Sequence, residues 1–229
     1  LTGDESNNTL TGGGGDDALD GGGGDDVLDG SGGADVLRGG EGADRLTGGF
    51  GDDQLFGEGG NDTLSDNQGS NQLSGGDGND TLSAVVRCCT QTLLGGAGND
   101  GLTASGVTVT LRGEDGNDML SASGLISGST PMEAFYIKDG TALLEGGVGD
   151  DVLSGTYYDT VTLRGGSGKD RLTAEYNRIA QLFGDEDDDS IEVFWNPGNL
   201  TGSQGVSSSQ SPTLETFVTA EGGSGNDTI

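Results

Sequence analysis

Histidine is absent from this 229-residue chain, and cysteine occurs only as the adjacent pair Cys88 and Cys89. The commonest general base and the commonest zinc ligand are therefore missing. No histidine-dependent triad and no H-E-x-x-H zinc site can be built. Cations are scarce: nine Lys plus Arg stand against 39 Asp plus Glu, a formal charge of −30. That balance disfavours nucleic acid and anionic lipid as partners and favours cations. No run of about 18 apolar residues occurs, so the sequence predicts no membrane-spanning helix, and no signal peptide opens it. Only 30% of the residues are hydrophobic, which together with the charge is the composition of a disordered chain. The two cysteines read most simply as small residues on one strand, pointing to opposite faces. A strained vicinal disulfide is the alternative. Their spacing suggests neither a metal site nor a redox motif.

What the chain has in abundance is glycine, 49 residues, placed with strict periodicity. From Gly3 to Ser83 it divides into nine consecutive nonapeptides with the consensus G-G-x-G-x-D-x-L-x. The eighth position is leucine in every copy, from Leu10 to Leu82. The sixth is aspartate at Asp17, Asp26, Asp35, Asp44, Asp53, Asp62 and Asp80, and asparagine at Asn8 and Asn71. The pattern predicts a six-residue turn followed by a three-residue strand. Glycines at positions 1, 2 and 4 allow positive φ and close backbone approach. One inward leucine on so short a strand cannot form a core alone; stacked neighbours must supply the rest.

This repeat resembles that of the RTX family, the calcium-binding repeats of secreted bacterial toxins, proteases, lipases and adhesins, which is nearly identical to a known calcium-binding nonapeptide. The resemblance implies an all-β fold, a right-handed parallel β-roll or β-helix solenoid with Ca²⁺ bound in the glycine-rich turns. Two nonapeptides would make one coil. Each ion would sit between successive turns on one edge, held by backbone carbonyls and the sixth-position carboxylates. Ca²⁺ takes six to eight oxygens, which such turns supply. The expected ligands are the sixth-position aspartates named above, with Asn8 and Asn71 as weaker ones. Roughly ten ions, at one per stacked turn pair, would lower the negative charge by about 20 units.

After Ser83 the motif thins out. Its aspartates recur at Asp100, Asp118, Asp151, Asp170, Asp189 and Asp227, also expected ligands. The sequence predicts a regular two-edged roll over 1–83. Over 84–229 it predicts a continued solenoid with calcium turns mainly on one edge. Segments such as "TVTLRG" at 108–113 and 160–165 alternate apolar and polar residues and can replace the missing nonapeptides as strands. Insertions lie within 122–145 and 193–221, and 201–212 is expected to be mobile. Aromatics gather in this half, among them Phe135, Tyr136, Tyr157, Tyr158, Tyr176, Phe194 and Trp195. They either fill a wider core or form a surface for glycan or protein. Both ends of the sequence read as cuts through a longer array.

The leading functional expectation is a calcium-binding module, not an enzyme. It would stay unfolded in a cell, fold on meeting calcium outside, and act as a rigid structural or adhesive segment of a larger extracellular or cell-surface protein. Export by bacterial type I secretion follows from the resemblance. Two alternatives are a recognition module, binding glycan, a cell surface or its own copies through the second half, and an accessory folding or export module of a secreted enzyme.

Overall fold

A computed structural model of the chain describes residues 1–86, 88–124, 137–194 and 217–229. Every regular element among them is a β-strand. They are numbered in chain order from β1 (Thr9–Gly14), β2 (Ala18–Gly23) and β3 (Val27–Gly32) to β20 (Phe217–Glu221). Odd-numbered strands form one ten-stranded sheet and even-numbered strands the other, each wholly parallel. The chain alternates between the two sheets, so each coil adds one strand to both: a parallel β-solenoid. At ~4.8 Å per strand the stack is roughly 45 Å long. No helix among the described residues is long and apolar enough to cross a membrane.

Each regular strand takes the last three residues of one nonapeptide and the first three of the next. β2, for example, reads ALD-GGG. The strand is thus twice as long as the sequence pattern predicts, and the turn is only the three residues at positions 4 to 6. The reason is backbone hydrogen bonding. The residues at positions 2 and 3 pair in register with the coil beyond, as Gly22 with Gly40 and Gly23 with Glu41, and so belong to the sheet.

Leucine sets the register. One column runs Leu10, Leu28, Leu46, Leu64, Leu82, Leu102, Leu120, Leu153, Leu172, Ile191. The facing column runs Leu19, Leu37, Leu55, Leu73, Leu93, Leu111, Leu144, Leu163, Leu182, Ala220. Nearly all are fully buried, and together with a row of alanines they make one continuous core. Both columns pass the first long spacing without a break, and the facing column passes the second as well. Leu120 pairs with Leu153, and Leu182 with Ala220. Each long interval is therefore one coil carrying an insertion, not two coils. Most of the inserted residues, with Phe135, Tyr136, Trp195 and the segment 201–212, lie outside the described residues.

The cysteines correct the simpler expectation. Neither lies in a strand; they occupy the turn after β9 (Thr81–Val85) and are bonded to each other. Cys89 takes a positive φ of 76°, so strand alternation does not apply to the pair.

Candidate metal centre

The solenoid has two edges. At the first, an even strand turns into an odd one; at the second, an odd strand turns into an even one. The sixth-position residues sit at these turns and stack one above another.

Along the first edge a single column runs through Asn8, Asp26, Asp44, Asp62, Asp80, Asp100, Asp118, Asp151, Asp170, Asp189 and Asp227. Each member's backbone N–H donates to the side-chain Oδ1 of the next, at 2.7 to 3.1 Å. The column crosses both insertions intact. On the second edge the same linkage joins Asp17, Asp35, Asp53 and Asn71, at 2.8 to 3.0 Å, and goes no further.

One carboxylate oxygen is thereby used. The other is not. Oδ2 of Asp17, Asp26, Asp35, Asp44, Asp53, Asp62, Asp80, Asp100, Asp118, Asp151, Asp170 and Asp189 is buried and has no hydrogen-bond partner. Asp227, at the last turn, is the expected ligand without this feature. Burial of an unpaired carboxylate is strongly unfavourable, and among the described residues no ion pair reaches these groups. Among the described residues the ion pairs are Arg38–Glu58, Arg112–Glu145, Lys169–Asp188, Arg171–Glu192 and Arg178–Asp159, and none includes a column aspartate.

Burial raises nine of the column carboxyls above the usual range. Asp62 and Asp151 are raised to about 7, and Asp80, Asp118 and Asp170 to about 6. Asp35, Asp44, Asp100 and Asp189 shift in the same direction. Loss of water is the first cause. Neighbouring acids add to it, while the N–H bond from the coil before partly offsets it.

The glycines divide the work that the sequence reading assigned to them jointly. Positions 2 and 4 have positive φ, as at Gly40 (110°) and Gly42 (132°). Position 2 is held there even when the residue is Ser31, Glu58, Glu114 or Asp185, with φ of 73° to 78°. Position 1 is different: Gly39 is extended, and its hydrogen faces oxygens. A Cβ there would press on Asp44 Oδ2 and lie 2.8 Å from the Gly57 carbonyl oxygen. The space beside the first glycine is thus lined by the orphaned carboxylate oxygen and a carbonyl of the next coil. Gly39→Ala is expected to raise the calcium midpoint for folding several-fold, an overpacking cost on the order of 1–3 kcal/mol. Gly32→Ala is the control, since its Cβ would meet only ordinary contacts at 3.8 and 3.9 Å. Calcium titrations of both, followed by circular dichroism, make the comparison.

These features fit a hard divalent cation. The donor set is all oxygen, and part of it is anionic and without a partner. Among the described residues no three acidic or cysteine side chains converge on one point. The carboxylates form a column rather than a cage, and carbonyls must complete any coordination shell.

Two contributions escape the consensus. The fifth position forms a second ladder with reversed polarity: the later coil's N–H donates to the earlier coil's side chain. Examples are Ala43 to Asp25, Asn99 to Asn79 and Lys169 to Asp150, at 3.0, 2.7 and 2.8 Å. This explains the adjacent acid pairs, whose two members serve different ladders. The signal was the frequency of Asp and Asn at position 5. Asp66 is the second; it alone among the nine regular nonapeptides opens with something other than glycine. It is buried, its Oδ2 is also unpartnered, and burial followed by the neighbouring Asp53 raises it to about 7.

Beyond Asn71 the second edge changes chemistry. The sixth-position column continues as Gln91, Val109, Ala142, Val161, Ala180 and Val218. Opposite it, the first-position column passes from Asp66 to Ala84, Ala104, Ala122, Gly155, Ala174 and Val193. Carboxylate against glycine becomes aliphatic against alanine, and the same volume is filled without charge. The cysteine turn lies on this edge, and both insertions occur in the sequence at its odd-to-even connections, β13 (Met119–Ser123) to β14 (Ile137–Val148) and β19 (Ser190–Phe194) to β20. Tyr157 and Tyr176 lie on this edge too, and their rings stack at 5.0 Å. Tyr158, by contrast, is wholly buried in the core.

A family model described as RTX calcium-binding nonapeptide repeat matches residues 1–28, 29–64, 56–84, 138–158 and 219–229, just over half of the chain. No curated protein matches the chain.

Proposed function

From the premise that this chain belongs to the RTX calcium-binding nonapeptide repeat family, we propose that it is a calcium-dependent structural segment whose folding is completed by the ions it binds. The calcium-binding repeat module is the part that family and fold already support. The finer reading is that the chain is unfolded where calcium is scarce and becomes a stiff rod where calcium is millimolar. That places its work outside the cell, on a secreted or surface protein exported as an unfolded chain, and makes its role spacing or adhesion rather than catalysis.

The observation that carries the reading is the row of buried Oδ2 atoms with no partner. Calcium, when bound, supplies the positive charge those atoms lack. The residues that would hold it are Asp26, Asp44, Asp62, Asp80, Asp100, Asp118, Asp151, Asp170, Asp189 and Asp227 on the first edge. On the second edge they are Asp17, Asp35 and Asp53. Asn8 and Asn71 close the columns as neutral donors. Roughly ten ions suit this ladder, at one per stacked turn pair. The regular two-edged part then spans 1–83, and 84–229 continues on the first edge alone.

Asp44 and Asp227 test the reading. Asp44 has a column neighbour on each side, whereas Asp227 has one. Asp44→Ala is expected to raise the calcium midpoint several-fold more than Asp227→Ala, because stacked coils lose two interfaces in the middle and one at the end. Equal midpoints in circular dichroism titrations would mean that the coils do not cooperate.

A second reading is recognition of glycan or protein through the second edge. It draws on the half-buried Tyr157–Tyr176 stack and on Phe194, which is 49% exposed. A glycan array probed with calcium-loaded protein separates the two: binding lost in Tyr176→Ala favours recognition, and no binding favours the spacer.

A further inference from the structure

The second column ends in a feature that the nonapeptide consensus does not contain. The eighth nonapeptide departs from consensus at positions 1, 2 and 6. Asp66 and Asn67 stand where glycine is expected, and Asn71 stands where aspartate is expected. Along the second edge Asp66 and Asn71 meet the same neighbour. Asn71 is the last link of the column, receiving the N–H of Asp53 at 3.0 Å. Asp66 closes β7 (Thr63–Asp66) one coil beyond Gly48. A Cβ on Gly48 would lie 2.6 Å from Asp53 Oδ2 and closer still to Asp66 Oδ2. Both carboxylates therefore enter one space. Asp53 is 1% exposed and Asp66 4%, and Oδ2 of each is buried without a partner. The remaining Asp66 oxygen accepts the Gln68 N–H at 2.9 Å, which fixes its aim.

Below this space the turn is closed by amides. Asn71 Nδ2 donates to the Gln68 carbonyl at 3.0 Å, and Gln91 Nε2 donates to the Gly69 carbonyl at 2.7 Å. Those carbonyls are occupied by neutral N–H groups, and the next residue down is Val109. The sixth-position file of polar side chains on this edge ends at Gln91, one coil beyond Asn71.

We propose that Asp66 is a calcium ligand outside the repeat's own ligand positions, and that with Asp53 it forms the terminal site of the second column. Without it, a site between Asp53 and Asn71 would have one carboxylate, where a site between two sixth-position aspartates has two. Asp66 supplies the missing charge from the opposite strand, so the departures at positions 1 and 6 compensate each other. Ligand charge count is a principal determinant of calcium affinity, and this site keeps its count by a different route. The inference rests on the calcium reading above.

Calcium-45 equilibrium dialysis on the full chain tests it, counting bound ions across the folding range. Asp66→Asn keeps the side-chain volume and removes the charge. It should bind one ion fewer than the unaltered chain at intermediate calcium, or hold that ion roughly tenfold more weakly. Asp77→Asn, a change at an exposed acid outside both columns, should leave the count unchanged. The double change Asp66→Gly with Asn71→Asp restores the consensus residues at positions 1 and 6 and should restore the count. If Asp66→Asn matches the unaltered chain in ion number and affinity, the site is refuted while the calcium reading stands. If the unaltered chain takes up no calcium, the calcium reading itself fails.

Discussion

In excess EGTA at neutral pH the chain is expected to give the circular dichroism of an unfolded polypeptide. β-structure should return over a narrow calcium range near millimolar. The magnitudes favour a large effect. A fully buried leucine contributes about 1.5–3 kcal/mol, and each nonapeptide buries one. Ordering each residue of that nonapeptide costs about 1–2 kcal/mol, more at glycine. Backbone pairing must share the deficit with some other term, and the carboxylates make it worse by burying Oδ2 unpaired on both edges. An ion that binds only the folded state stabilises it by RT ln(1 + [L]/Kd) at every site. Summed over a stack of coupled sites, this converts a modest affinity into a steep transition. Magnesium should replace calcium poorly, since it keeps its waters and demands stricter geometry. Retention of compact β-structure in EGTA at pH 7, by circular dichroism and small-angle scattering, would falsify the central role given to the metal.

Acid is expected to act in opposite directions with and without calcium. In the calcium-free chain, lowering the pH from about 7 to about 4 should recover part of the β signal. Column carboxyls at about 6 to 7 in the fold return to the ordinary value of 3.8 when the chain unfolds. The metal-free fold therefore holds protons more tightly than the unfolded chain does. Its stability is fully present below about 4 and is lost as the pH rises through 6 to 7. At limiting calcium the same protonation competes with the metal for the same oxygens, so the calcium midpoint should rise as pH falls from 7 to 5. Parallel titrations, one in EGTA and one at a fixed calcium concentration near the midpoint, read both signs. Loss of β signal on mild acidification of the calcium-free chain would show that the buried carboxylates do not oppose folding.

The two halves of the second edge show how far the residues could be read unaided. Leu10 to Leu82 and the sixth-position acids carry a strict period, and a period of nine with one inward residue per copy has few solutions other than a stacked coil. The continuation of the first-edge column to Asp227 was legible because each later motif keeps its aspartate. What replaces the acids on the other edge was not. Val109, Ala142, Val161 and Ala180 share no motif with Asp17, Asp35 and Asp53, and only the ladder register places them in one file. Adjacent Cys88 and Cys89 fit the opposite faces of one strand as well as they fit a vicinal disulfide; the turn that carries them depends on where the strand pairing stops.

Composition and period alone determined that this chain must stack, that leucine would line its interior, and that its acids would fall into files demanding positive charge. Repetition is local information, and any one copy states it completely. The three-dimensional arrangement decided which residues face each other across a coil: the reversed ladder at position 5, the handover from carboxylate to valine, and the meeting of Asp66 with Asp53. Those partners are 13 to 38 residues apart along the chain. Their contacts depend on how many residues each intervening turn absorbs, and no single copy of the repeat encodes that number.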